Sequence, residues 1–119
     1  MNKLKVIQIL PELNIGGVER GTKDFSKTLV EKGHDSIVIS NGGIFETDIV
    51  SNGGIHINLP VHKKNPLSLF LAFKLAKIYE EHRPDIVHVR SRMPAWINYL
   101  AFKKLKKKPV LISTFHGLY

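Results

Sequence analysis

The chain has 119 residues, 43% hydrophobic and 24% charged, enough for one soluble globular domain with a real core. No apolar run approaches the ~20 residues of a membrane span, Met1-Asn2-Lys3-Leu4 has no signal-peptide pattern, and the absence of cysteine excludes disulfides and thiolate metal sites, so the cytoplasm is the default compartment. The 18 Lys+Arg against 10 Asp+Glu give a net charge of +8, which favours nucleic acid, anionic lipid headgroups or phosphorylated substrates as partners.

Leu4–Leu10 reads as a first strand, apolar enough to be covered on both faces. Gly16-Gly17 follows. Val18 to Lys32 reads as a helix with Val18, Phe25 and Leu29 inward, ended by Gly33. Ser36–Ser40 is a second strand, Phe45–Val50 a short helix, and Ile55–Leu59 a third strand closed by Pro60. Ser40-Asn41-Gly42-Gly43-Ile44 recurs as Ser51-Asn52-Gly53-Gly54-Ile55, which two glycine-rich turns around one short helix explain. Asn65-Pro66 opens the next helix, with Leu67, Phe70, Leu71, Leu75, Ile78 and Tyr79 on one stripe. Pro84 precedes a fourth strand, Asp85–Val89. Pro94 opens a helix with Ile97, Leu100, Ala101 and Leu105 inward, and Pro109 leads into a fifth strand, Val110–Thr114. This alternation predicts an α/β fold: a doubly wound, Rossmann-like parallel sheet of order 3-2-1-4-5 with helices on both faces.

In such a sheet ligands bind beyond the carboxyl ends of the strands at the switch point, here between strands 1 and 4. The loops after strands 1, 4 and 5 meet there, carrying Asn14, Gly16, Gly17, Glu19 and Arg20, then Arg90, Ser91 and Arg92, then His116 and Gly117. Gly16-Gly17 before a helix admits a phosphate, another anion or a sugar hydroxyl close to the backbone, and it equally fits a plain tight turn. The spacing is not Gly-x-Gly-x-x-Gly, and Ser40-Asn41 stands where a dinucleotide site needs an acid. Arg90 and Arg92 have the chemistry to clamp phosphate or carboxylate, or to make ordinary surface ion pairs. Trp96 fits core packing better than a sugar platform, and His88 a buried structural role. Metal-ligand spacing and a nucleophile–base pair are both lacking.

Gly-Gly-Val-Glu-Arg (16–20), Pro-Asp-Ile-Val-His-Val-Arg-Ser-Arg-Met-Pro-Ala-Trp (84–96) and Ser-Thr-Phe-His-Gly (113–117), in this order, resemble the N-terminal domain of family 4 glycosyltransferases. The resemblance runs from Lys5 to Gly117. It implies a retaining enzyme of the GT-B fold, in which two Rossmann-like domains face each other across a cleft, many members building lipopolysaccharide and other envelope glycans. Gly16 and Gly17 would lie near the donor diphosphate or the transferring sugar, with Glu19 able to cap the helix behind them. His116, the catalytic candidate, would contact donor sugar or acceptor, and Arg90, Ser91 and Arg92 would lie on the acceptor side. The resemblance implies no metal and no cofactor, the nucleotide-sugar being a substrate held mainly by the C-terminal domain.

That domain, with its Glu-x7-Glu pair, is missing here, and the adjacent Glu80 and Glu81 cannot replace it. The expectation is therefore one domain, residues 1–119, that alone transfers sugar poorly. It is either a piece of a longer enzyme or one subunit whose C-terminal half is a separate chain. Expected partners are a sugar or lipid-linked acceptor and a nucleotide-sugar. Lys103, Lys104, Lys106, Lys107 and Lys108 are either a solvated helix end or a patch for the anionic inner face of the cytoplasmic membrane. The alternative function is a non-catalytic binding or membrane-anchoring subunit of a split glycosyltransferase. Nucleic acid is disfavoured, since no helix-turn-helix, zinc finger or basic–aromatic strand pattern is present.

Overall fold

The computed structural model describes residues 3–10, 17–60, 68–90, 92–106 and 108–114. Strands and helices alternate as β1 (Lys5–Ile9), α1 (Gly17–Glu31), β2 (Asp35–Ser40), α2 (Glu46–Ser51), β3 (Ile55–Asn58), α3 (Ser68–His82), β4 (Ile86–Val89), α4 (Arg92–Phe102) and β5 (Val110–Ser113). The strands form one parallel sheet in the order β3-β2-β1-β4-β5, as the strand–helix alternation predicts. Register places Ile7 between Ile37 and Val87, and Gln8 between Val38 and His88.

Because side chains alternate along a strand, this register sorts the sheet into two unlike faces. Ile7, Ile9, Ile37, Ile39, Val87 and Val89 form one, and α3 and α4 cover it with Leu71, Leu75, Tyr79, Ile97, Ala101 and Phe102 in a single apolar core. The other face carries Gln8, Ser36, Val38 and Ser40, all buried, beneath α1 and α2. Its apolar cluster is small: Leu10, Val38, Phe45 and Ile49, with Val18 packed against it.

The polar face corrects the expectation for α1. Phe25 is exposed, and Thr22, Ser26 and Leu29 point inward instead. The reason lies in the sheet below: Gln8 Nε2 donates to Thr22 O at 3.2 Å, and Ser26 Oγ pairs with Ser36 Oγ at 2.6 Å. A buried polar strand position needs a polar partner, so the helix turns its hydroxyls rather than its phenylalanine toward it. On α3, Phe70 is likewise turned outward while Ala72 and Ala76 are buried, small side chains that let the helix lie close to its neighbours. Asn65, Pro66 and Leu67 lie outside the described residues.

Gly33 ends α1 as expected. It adopts φ +86°, its N–H bonds Val30 O, and His34 N–H bonds Leu29 O, the paired bonds of a Schellman cap. The recurring glycine segments bracket α2, with positive φ at Gly42, Gly43 and Gly53. α4 starts at Arg92, two residues before Pro94, which the first turn accommodates because its N–H groups have no intrahelical acceptor.

Candidate functional site

The carboxyl ends of all five strands lie along one edge of the sheet, and the order reverses between β1 and β4. Arg90 follows β4 at this point, its N–H bonding Ile9 O at 3.0 Å. Its side chain turns under α1. Arg90 Nε donates to Gln8 Oε1 at 2.9 Å, and a Cβ on Gly21 would stand 3.9 Å from the guanidinium. Half-burial lowers the Arg90 pKa from its ordinary value. Gln8 is thereby held at both ends, accepting from Arg90 and donating to α1. This chain of bonds ties the end of β4 to the middle of β1 and the first half of α1, the helix whose N-terminus faces the switch point.

Gly17 opens α1 with open space around the position a Cβ would take. Glu19 sits half-buried in the first turn, and Arg20 is exposed. Arg92 is the first residue of α4. Gly16, Ser91, His116, Gly117 and Asn14 lie outside the described residues, as do Lys107 and the side chains of Arg92 and Trp96. The structure thus brings Arg90 and the start of α1 to one edge. His88 lies in β4, its Nε2 3.1 Å from Thr114 Oγ1. A cavity of about 730 Å³ opens at the opposite end of the strands beside Arg83, Asp85, Lys104 and Val110, away from the switch point.

Sequence reasoning missed one cluster at the carboxyl edge. Ser40 Oγ lies 2.7 Å from His56 Nε2, and His56 Nδ1 lies 3.4 Å from Glu46 Oε1. The atoms are ordered as in a hydrolase triad, but Ser40 is fully buried and its oxygen already accepts the Gly42 N–H at 2.9 Å, so no substrate reaches it. What the cluster does is pin the turn after β2, with help from Asn58 Nδ2 donating to Asn41 O at 3.4 Å. A Cβ on Gly42 would come within 2.9 Å of Glu46 Oε2. The histidine side chain is only 2% exposed, and burial outweighs the attraction of Glu46 and lowers its pKa. A buried histidine alternating with isoleucines in β3 was the available signal, but its partners are 10 and 16 residues away, beyond any local motif.

Among the described residues no three His, Asp or Glu side chains gather as a metal site, and no helix is long and apolar enough to cross a membrane.

Residues 15–119 match the family described as Glycosyltransferase Family 4. A crystal structure of a glycosyltransferase from Rickettsia africae ESF-5 aligns with 100% of this chain and 31% of its own, with a TM-score of 0.86 and 41% identity. The N-acetyl-alpha-D-glucosaminyl L-malate synthase of Bacillus anthracis is 30% identical over 122 residues, 97% of this chain and 32% of that protein. An uncharacterized 42.6 kDa protein in the cps region of Klebsiella pneumoniae is 30% identical over 128 residues, covering 90% of this chain and 34% of its own length. The chain therefore spans about a third of the length of these relatives.

Proposed function

We propose, for a chain that belongs to glycosyltransferase family 4 and corresponds to the N-terminal portion of its members, that it is the acceptor-side half of a retaining, nucleotide-sugar-dependent glycosyltransferase of envelope glycan synthesis. The observation that carries this reading is the alignment of the entire chain, at 41% identity, with part of a solved glycosyltransferase. The cps-region relative supports the envelope assignment, lipopolysaccharide being one such glycan. The relative named for L-malate supports an anionic acceptor, which a net charge of +8 would attract.

In this reading the residues act as follows. Gly16 and Gly17 let the donor's diphosphate or sugar approach the N-terminus of α1, where backbone N–H groups face an anion. Glu19 steadies that turn. Arg90, Ser91 and Arg92 form the acceptor side, Arg90 chiefly by holding β1, β4 and α1 together through Gln8. His116 contacts the reacting sugar or acceptor. The leaving diphosphate is stabilised mostly by a second, donor-binding domain, on the same polypeptide or another. A lipid-linked acceptor would place the protein at the inner face of the cytoplasmic membrane.

The test joins residues 1–119 to the donor-side portion of the Rickettsia relative and assays transfer from labelled nucleotide-sugars. The joined protein transfers sugar with retained anomeric configuration and the 119-residue chain alone does not. His116→Ala lowers the joined protein's kcat at least about tenfold, or 1.4 kcal/mol of barrier. A folded joined protein with no transfer from any donor favours the alternative, a non-catalytic binding subunit.

A further inference from the structure

The outer surface of α3 and α4 combines exposed aromatic rings with lysines. Phe70, Phe73, Lys74 and Lys77 recur at intervals of three and four, so they share one stripe of α3, and all are exposed. Tyr99 and Lys103, four apart, continue the surface from α4. Phe70 is 65% exposed, Phe73 and Tyr99 each 57%. Lys104 Nζ sits 3.9 Å over the Phe73 ring and so bridges the two helices, and Lys103 Nζ sits 4.9 Å over Tyr99. Between them is a shallow depression of about 250 Å³, floored by Ala72 and Leu100.

Charge is divided between the two sides of the sheet. On α1 and α2 the acids Glu19, Asp24, Glu31, Glu46 and Asp48 outnumber the bases. On the α3–α4 side Lys74, Lys77, Lys103, Lys104 and Lys106 face only Glu80 and Glu81, at the end of α3. Lysines thus outnumber acids on the side of the sheet where Phe70, Phe73 and Tyr99 are exposed.

We infer that this α3–α4 face docks on an anionic lipid surface, with Phe70, Phe73 and Tyr99 entering the headgroup boundary and the lysines reaching lipid phosphates. The two residue types fit the two layers of a membrane interface: rings in the acyl boundary, ammonium groups on flexible stems among the headgroups. Among the described residues the depression between the two helices is shallow, and a fluid surface needs none deeper. The inference deepens the proposed function by naming the face that would meet a lipid-linked acceptor. It rests on that reading only for the acceptor, because docking is measured without any transfer assay; failure here leaves the glycosyltransferase reading standing.

The test is co-sedimentation of the 119-residue chain with vesicles of phosphatidylcholine alone and of phosphatidylcholine mixed with phosphatidylglycerol. The chain binds the mixed vesicles, is released by salt, and leaves neutral vesicles unbound. Lys103→Gln with Lys104→Gln lowers partition about 25-fold, roughly fivefold for each lysine. Phe73→Ser with Tyr99→Ser lowers it at least about tenfold while preserving the salt dependence. Circular dichroism checks that each variant is folded, and Lys74→Gln with Lys77→Gln is the substitute if the first lysine pair is not. Equal binding to both vesicles, no binding, or lysine variants that bind like the parent each overturn the inference. So does capture by polyglutamate with no binding to anionic vesicles, which reassigns the face to an acidic polypeptide.

Discussion

The Glu46 carboxylate can only accept, so a neutral His56 ring carries its proton on Nδ1 toward Glu46, and its Nε2 accepts the proton of the Ser40 hydroxyl, whose oxygen accepts Gly42 N–H. Burial favours this neutral imidazole. Its pKa is lowered by burial, partly offset by Glu46, so the unfolded chain takes up a proton first as pH falls. This contribution to stability is complete above the ordinary value of 6.5 and declines below it, through the folded-state pKa. Urea melts between pH 5 and 8 check this: the parent loses stability below about pH 6.5, and His56→Gln flattens that part of the profile. A parent profile without the slope would remove the neutral-ring account. Arg90 gives a second expectation at this scale. Arg90→Ala strands Gln8 Oε1 in a fully buried site, at a cost of about 1–3 kcal/mol. Arg90→Lys does not restore it, because an ammonium cannot present the guanidinium's Nε in the same place. Denaturant midpoints of the two variants decide between this linkage and an arginine that only faces solvent.

At the scale of elements, α1 has glycines at both ends with opposite demands. Gly33 sits in open space at φ +86°, so Gly33→Ala meets no clash and still costs about 1 kcal/mol, from backbone strain alone. Gly17 also has open space, without positive φ, and Gly17→Ala is expected to leave stability unchanged or raise it by up to about 1 kcal/mol. If transfer by the joined protein falls while the melting temperature holds, Gly17 is there for a ligand; unchanged transfer makes it a turn residue. The same helix shows what a sequence exposes and what it hides. Its end was legible because Gly33 is a local signal. So was the whole sheet order, since alternating strands and helices with right-handed crossovers leave few topologies. The inward face was not legible, because Thr22 and Ser26 are buried by the demands of Gln8 and Ser36, residues of other strands. Apolar periodicity reports only apolar contacts, and it also assigned Phe25 and Phe70 to a core they do not enter. The Ser40–His56–Glu46 cluster was hidden for the same reason, its members being joined by strand register and a turn rather than by spacing.

Considered whole, the molecule has two surfaces whose response to salt should be opposite. β5 exposes apolar side chains on both sides of the sheet: Leu111 shares the side of Val87, while Val110 and Ile112 share that of Ile86 and His88. Among the described residues no strand pairs with its outer edge. An apolar strand with open N–H and C=O groups is a template for another strand. The chain should therefore associate as its concentration rises. The net charge of +8 opposes this by self-repulsion, so moderate salt should strengthen association. The α3–α4 face behaves the other way, since salt screens lysines from lipid phosphates. Sedimentation velocity over a dilution series, at low and moderate salt, separates the two. Ile112→Lys places a charge on the β5 edge, on the side away from α3 and α4, and should restore the monomer without altering vesicle binding, whereas Lys103→Gln with Lys104→Gln should weaken vesicle binding and leave association intact. A monomer at every concentration and both salts would show that β5 is protected within the 119 residues themselves. Association abolished by the lysine variants would move the contact to the α3–α4 face, and the two surfaces would then compete for one partner.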